Sequence, residues 1–122
     1  MENPRILLVD DEPDALYFLK RYLELKGYKD IVTASSGHEA LDIIAQKNPH
    51  FMLLDIRLGD DIDGMVVLRR TKQLSPKTKV VMVSGHKDDF LEEANSLGAV
   101  GFMSKPIKMN DLNEFISLIS KS

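Results

Sequence analysis

The chain has 122 residues, 43% hydrophobic and 29% charged, the length and balance of one globular domain rather than a disordered or fibrous chain. Sixteen Lys and Arg against nineteen Asp and Glu leave a formal charge of −3; binding to nucleic-acid phosphates runs on clustered positive charge, so no nucleic acid is expected on these residues. Zero cysteines exclude disulfides and thiolate chemistry, and no apolar run approaches the roughly 18–20 residues of a membrane span or follows a signal-peptide pattern, so a cytoplasmic protein without a membrane partner is expected.

Ile6–Val9 predicts a first strand, an unbroken apolar run of the kind covered on both faces. Leu16, Leu19 and Leu23, at i, i+3 and i+7, predict a first helix, with Gly27 where a left-handed cap would close it. Ile31–Ala34 reads as the second strand. Ser36-Gly37-His38-Glu39 then fits a capping box, in which hydroxyl and carboxylate each satisfy a backbone N–H. Its helix carries Ala40, Leu41 and Ile44, and Asn48-Pro49 ends it.

Phe51–Leu54 predicts the third strand, and a third helix runs from Met65 to Leu74, ahead of Ser75-Pro76. Val80–Val83 follows as the fourth strand, then a helix from Asp89 to Leu97 closed by Gly98. Val100–Met103 reads as the fifth strand. The last helix starts at Asn110 as N-cap and sets Leu112, Phe115, Ile116 and Ile119 on one face. Strand and helix alternate five times with short connections, which implies a parallel sheet with helices on both faces and a single domain over residues 1–122.

In open α/β sheets, ligands bind outside the carboxyl ends of the strands. Here the first strand ends in Asp10-Asp11-Glu12, the third in Asp55, the fourth in Ser84-Gly85-His86 and the fifth in Ser104-Lys105-Pro106. Taken singly, the first acids could cap a helix, Ser84 could do the same, and Lys105 could be a solvated surface residue. Asp55 is different, because a carboxylate leaving a buried strand is costly without a partner. Together the acids repel unless a cation joins them, and an all-oxygen set suits a hard ion such as Mg²⁺. A neighbouring ammonium and hydroxyl could hold a phosphoryl group, and a carboxylate can itself accept one.

Val9-Asp10-Asp11-Glu12, Leu54-Asp55, Val83-Ser84-Gly85 and Lys105-Pro106, in this order at strand ends and over essentially the whole chain, resemble the response-regulator receiver domains of two-component signalling. The resemblance implies the flavodoxin-like (βα)5 fold, a doubly wound parallel sheet of order 2-1-3-4-5. It implies Asp55 as phosphoacceptor, and Mg²⁺ or Mn²⁺ held by Asp10, Asp11, Asp55 and the backbone carbonyl of Arg57. Lys105 and Ser84 would contact the phosphoryl group, Ser84 and Phe102 would form the switch, and the Lys105–Pro106 peptide would be cis.

Such a domain is a signalling phosphoacceptor that assists its own phosphorylation and dephosphorylation, rather than an enzyme in the ordinary sense. Its donor would be a sensor histidine kinase or a histidine phosphotransfer protein. Its output would pass to a downstream target or a separate output domain, through the face made by the fourth helix, fifth strand and fifth helix. Arg57 and His86, each two positions beyond a site residue, are candidates for tuning the lifetime of the phosphoryl group.

The sequence departs from the family pattern after Asp55. Gly59 stands where a Pro is usual, and Gly64 comes one residue late. These changes predict an altered, more mobile loop, since glycine leaves φ free where proline fixes it. Asp60, Asp61 and Asp63 lack the spacing of a calcium loop and read as a solvated turn.

Three rival readings fit less well. A Mg²⁺-dependent phosphatase with an aspartyl nucleophile wants a second acid where Arg57 stands. A flavin-binding module on the same fold wants a phosphate loop where Asp10 to Asp14 are acidic. A serine hydrolase built on Ser84 lacks the Gly-x-Ser-x-Gly elbow.

Overall fold

Four-residue runs such as Ile6–Val9 have no polar face to offer water, so they are stable only inside a sheet covered on both sides. The computed structural model describes residues 3–85 and 87–122. In chain order the elements are β1 (Ile6–Val9), α1 (Pro13–Leu25), β2 (Ile31–Ala34), α2 (Gly37–Lys47), β3 (Phe51–Asp55), α3 (Gly64–Leu74), β4 (Lys79–Ser84), α4 (Lys87–Ser96), β5 (Gly101–Ser104) and α5 (Met109–Ser120). All strand pairs are parallel, in the order β2-β1-β3-β4-β5. This is the order implied by the resemblance.

Side chains alternate across each strand, and the alternation divides the core in two. Leu7, Val9, Met52, Leu54, Val80 and Met82 pack on one face with residues of α2, α3 and α4. Ile6, Leu8, Phe51, Leu53, Val81 and Val83 pack on the other with α1 and α5. Leu16, Leu19 and Leu23 of α1, and Leu112, Phe115 and Ile119 of α5, are buried there, while Ile116 is partly buried. Each large side chain so covered contributes about 1.5–3 kcal/mol relative to exposure. Among the described residues, no helix is long and apolar enough to cross a membrane.

The helix ends show local differences from the sequence reading. Gly27 and Gly98 take positive φ, 99° and 94°, after α1 and α4. At α2 the Ser36 hydroxyl accepts the Glu39 N–H at 3.1 Å, but Glu39 accepts the N–H of Ser35 rather than that of Ser36. The expected N-cap of α5, Asn110, lies inside the helix. Lys108 holds the cap position, and its N–H is taken by Asp111 at 3.2 Å. A carboxylate three residues on has replaced the cap side chain. The strand edges also extend slightly past the apolar runs, to Asp55, Lys79, Ser84 and Ser104, because pairing continues wherever a neighbour offers a ladder.

Candidate functional site

Register and alternation bring the strand-end side chains together. Val9 lies opposite Leu54, so Asp10 leaves β1 level with Asp55 on β3. Ser84 lies opposite Ser104, and the next residue is Lys105, whose N–H is taken by the Ser84 carbonyl at 3.0 Å. Asp10 follows Leu8 by two, Asp55 follows Leu53 by two, and Lys105 follows Met103 by two. All three preceding residues face α1 and α5. The period of two therefore gives these charged residues one parity, and Ser84, two beyond Met82, has the other. Lys105 enters the next connection through a cis peptide to Pro106.

The result is a partly enclosed group of charges. Asp10 and Asp55 are each 4% exposed, Ser84 is 2% exposed, and Asp11 is exposed. The Lys105 Nζ lies 2.5 Å from Asp55 Oδ2, 3.6 Å from Asp10 Oδ2 and 3.9 Å from Glu12 Oε1. Asp55 Oδ1 accepts the Arg57 N–H at 3.2 Å, and Asp10 Oδ1 accepts the Glu12 N–H at 2.9 Å. Asp10, Asp11 and Asp55 each place a carboxylate oxygen within 4.8 Å of the other two.

Among the described residues, the Lys105 ammonium faces Asp55, Asp10 and Glu12 together. Burial pushes the Asp55 carboxyl above its ordinary value, Lys105 pulls it back, and the Asp10 charge raises it again. For Lys105, burial works against the charge, but the hydrogen bond to Asp55 and the charges of Asp55, Asp10 and Glu12 outweigh it and hold it above its ordinary value. Both partners of the pair thus hold protons more readily, Asp55 chiefly because it is buried and Lys105 because of the carboxylates around it. The arrangement can receive a further cation, and it can present one carboxylate oxygen beside a positive group.

In the connection after Asp55, Gly59 takes φ +75°. A Cβ there would stand 3.0 Å from Asp11 Oδ2. Gly64 still meets the end of β3: its N–H donates to the Ile56 carbonyl at 2.6 Å, and a Cβ would press on the Asp55 carbonyl oxygen and stand 2.6 Å from Ile56 Cα. Glycine is needed here for close approach rather than for an unusual φ.

Residues 6–117 match the family model described as the response regulator receiver domain. The chain belongs to that family. Accepting a phosphoryl group on an aspartate is the family's general function, and receiver domains normally bind Mg²⁺. The receiver is 37% identical over 118 residues to the positive alginate biosynthesis regulatory protein of Pseudomonas aeruginosa, covering 95% of this chain and 47% of that protein. It therefore spans about half the length of that relative. It is 28% identical to sporulation initiation phosphotransferase F of Bacillus subtilis, covering 95% of this chain and 93% of the relative. The solved receiver domain of NtrX from Brucella abortus superposes with a TM-score of 0.85 at 33% identity, covering 96% of this chain and 98% of that one.

Within this receiver, Asp10, Asp11, Asp55 and Lys105 come together, and buried Ser84 lies one strand position before the Lys105 connection. Arg57 is exposed beside the site, with its N–H on Asp55. Phe102 is half-buried on β5, packed against the α2–α3–α4 side of the core. His86 lies outside the described residues.

Two features escaped the sequence reading. Asp63 caps α3, its carboxylate accepting the Val66 N–H at 3.0 Å; an Asp just before Gly-Met-Val-Val carried that signal. Asp60 and Asp61 are not only solvated but engage His38, more than twenty residues away, and no local pattern announces that.

Proposed function

We propose that this receiver accepts a phosphoryl group on Asp55 from the phosphohistidine of a sensor histidine kinase or a histidine phosphotransfer protein, or from a small phosphodonor. The observation that carries the reading is the Lys105 ammonium lying against buried Asp55 and Asp10, with the Asp11 carboxylate beside them. An Asp55 oxygen attacks phosphorus in line, the phosphorus–nitrogen bond of the donor breaks, and the imidazole leaves with the bonding pair.

The donor set fits a hard divalent cation: carboxylates of Asp10, Asp11 and Asp55 lie within 4.8 Å of one another, and the Arg57 backbone carbonyl would add the further ligand that the family resemblance implies. When bound, Mg²⁺ (or Mn²⁺) supplies charge neutralisation for the oxygens of the transferring group. Lys105 exchanges part of its pairing with Asp55 for a phosphoryl oxygen, and the Ser84 hydroxyl hydrogen-bonds another. Withdrawal of Ser84 toward the new dianion makes room for Phe102 to turn inward, which shifts the face of α4, β5 and α5 between two arrangements. That face passes the signal to a downstream protein or to an output domain.

The same pocket assists its own phosphorylation and its hydrolysis, with Arg57 and His86 controlling access of the attacking water. Residues 1–122 act as one cytoplasmic domain in this reading.

Incubation with acetyl phosphate and Mg²⁺, followed by intact-mass measurement, tests the assignment. A phosphoryl adduct is expected on the parent and not on Asp55→Asn. An adduct of equal yield on both would remove Asp55 from the mechanism.

A further inference from the structure

The connection from Ile56 to Asp63 carries the Arg57 carbonyl assigned above to the divalent ion, yet it has no helix or strand to hold it. Its start is held by the Ile56 N–H on the Val83 carbonyl, the Arg57 N–H on Asp55 and the buried Ile56 and Leu58 side chains, and its further ties run to the first turn of α2. Asp60 bridges two backbone groups, accepting the Ile62 N–H on Oδ1 and the His38 N–H on Oδ2, each at 3.3 Å. Asp61 Oδ1 lies 2.8 Å from His38 Nε2, so this ring nitrogen donates to the carboxylate. Ile62 covers Gly37 closely enough that a Cβ on Gly37 would stand 2.8 Å from the Ile62 Cβ. At the opposite side of the connection, Gly59 borders the Asp11 carboxylate. The connection is thus clasped between α2 and one of the acids of the site.

We propose that His38 is a positioning residue for the divalent ion: by clasping Asp60 and Asp61 at the first turn of α2, it holds the Arg57 carbonyl and Gly59 in register with Asp11. The inference rests on the reading of the Asp10–Asp11–Asp55 site given above. A carbonyl on a loose connection must be ordered when the ion binds, and that ordering entropy subtracts from affinity; a connection held beforehand avoids it. Groups that orient metal ligands typically govern affinity by about 10–100-fold. His38 acts through exposed contacts several residues from the carbonyl, so the low end of that range applies.

The clasp also titrates. His38 is held above the ordinary 6.5, first by its hydrogen bond to Asp61, with desolvation opposing and the charges of Asp61, Asp60 and Asp42 adding to the rise. The groups facing it are Asp60 and Asp61 from the connection and Asp42 from its own helix. Its ionic part is therefore complete below pH 6.5 and is lost as pH rises through the raised value. A neutral ring keeps the hydrogen bond only in the Nε2–H tautomer.

Calorimetric titration of the whole chain with Mg²⁺ at about pH 6 and about pH 8.5 tests the proposal, together with amide hydrogen exchange of residues 58–62 in the metal-free protein. His38→Ala is expected to weaken Mg²⁺ binding about tenfold at the lower pH and to speed exchange in the connection. His38→Gln, which can donate to Asp61 without titrating, is expected to restore most of the affinity. The fall in parent affinity between the two pH values should exceed that of His38→Gln by a few-fold.

Parental affinity and exchange in His38→Ala would overturn the proposal. So would a His38→Gln protein that binds like His38→Ala. If the parent binds Mg²⁺ and Asp11→Asn does not, the site reading stands and these outcomes bear on His38 alone. A parent that fails to bind Mg²⁺ overturns the site reading and this inference with it.

Discussion

The two ends of the sheet bury polar groups in opposite ways. At the N-terminal ends of β3 and β4, Ser75 and Thr78 are 7% and 1% exposed. The Thr78 hydroxyl donates to the Pro49 carbonyl at 2.5 Å, so the Ser75 hydroxyl, 2.7 Å away, must donate to Thr78. Lys72 gives its ammonium to the Thr78 carbonyl at 2.9 Å, and burial lowers its pKa from the ordinary lysine value. Each of these donors meets an acceptor, and no carboxylate is involved. A depression of about 530 Å³ opens at this end, and among the described residues no acidic side chain lines it.

At the C-terminal ends, a groove of about 490 Å³ reaches Asp10, Glu12 and Lys105, and among the described residues three carboxylates share the Lys105 ammonium. The larger hollow is therefore the quieter one chemically. Volume marks where the surface dips, whereas unbalanced charge marks where a ligand gains free energy by arriving.

Three substitutions sharpen or break this contrast. The largest effect is expected for Gly64→Ala, whose methyl would press on the Asp55 carbonyl and on Ile56 Cα. Overpacking against backbone should cost about 3 kcal/mol in denaturant unfolding and displace Asp55, so under the proposed function acetyl phosphate labelling should fall with it. A variant with parental stability would mean that β3 yields easily and that close packing does not fix Asp55.

Next comes Thr78→Val at the lower end. It leaves the Pro49 carbonyl and the Ser75 hydroxyl without a partner, at a cost of about 2 kcal/mol, while labelling of Asp55 should be unchanged. A strong loss of labelling at retained fold would show that the two ends are not separable.

The smallest effect has the opposite sign. Asp10→Asn keeps an oxygen for the Glu12 N–H but removes one negative charge beside Asp55, so the metal-free protein should gain about 1 kcal/mol. Thermal denaturation with and without Mg²⁺ checks this. The parent should be raised by the ion, by about 2.7 kcal/mol at a hundredfold excess over its dissociation constant, and the variant should not. Loss of stability in metal-free Asp10→Asn would mean that the upper end is balanced after all.

Much of the fold is legible in the chain because its signals are local. Unbroken apolar runs such as Phe51–Leu54 announce covered strands, and Leu16, Leu19 and Leu23 announce a helical stripe. The misreadings arose where two nearby groups compete for one job. Asn110 is a favoured cap residue, but Asp111 reaches the Lys108 N–H and starts the helix earlier. Glu39 finds Ser35 instead of Ser36. The candidate site was legible as a set of residue types at strand ends. Its connection to α2 was not, since His38 and Asp61 are 23 positions apart and share no periodic pattern.

By itself the sequence determined the alternation of strands and helices and which acids, hydroxyl and lysine stand at the strand ends, because propensity and periodicity act over a few residues. Tertiary structure alone decided that Asp10, Asp55 and Lys105 meet, that the acids exceed the cation, and that His38 reaches across to Asp60 and Asp61. Those outcomes depend on inter-strand register and on helix packing, which join residues as far apart in the chain as Asp10 and Lys105. Charge balance in a buried pocket is a sum over such distant neighbours, so it exists only once the chain has folded.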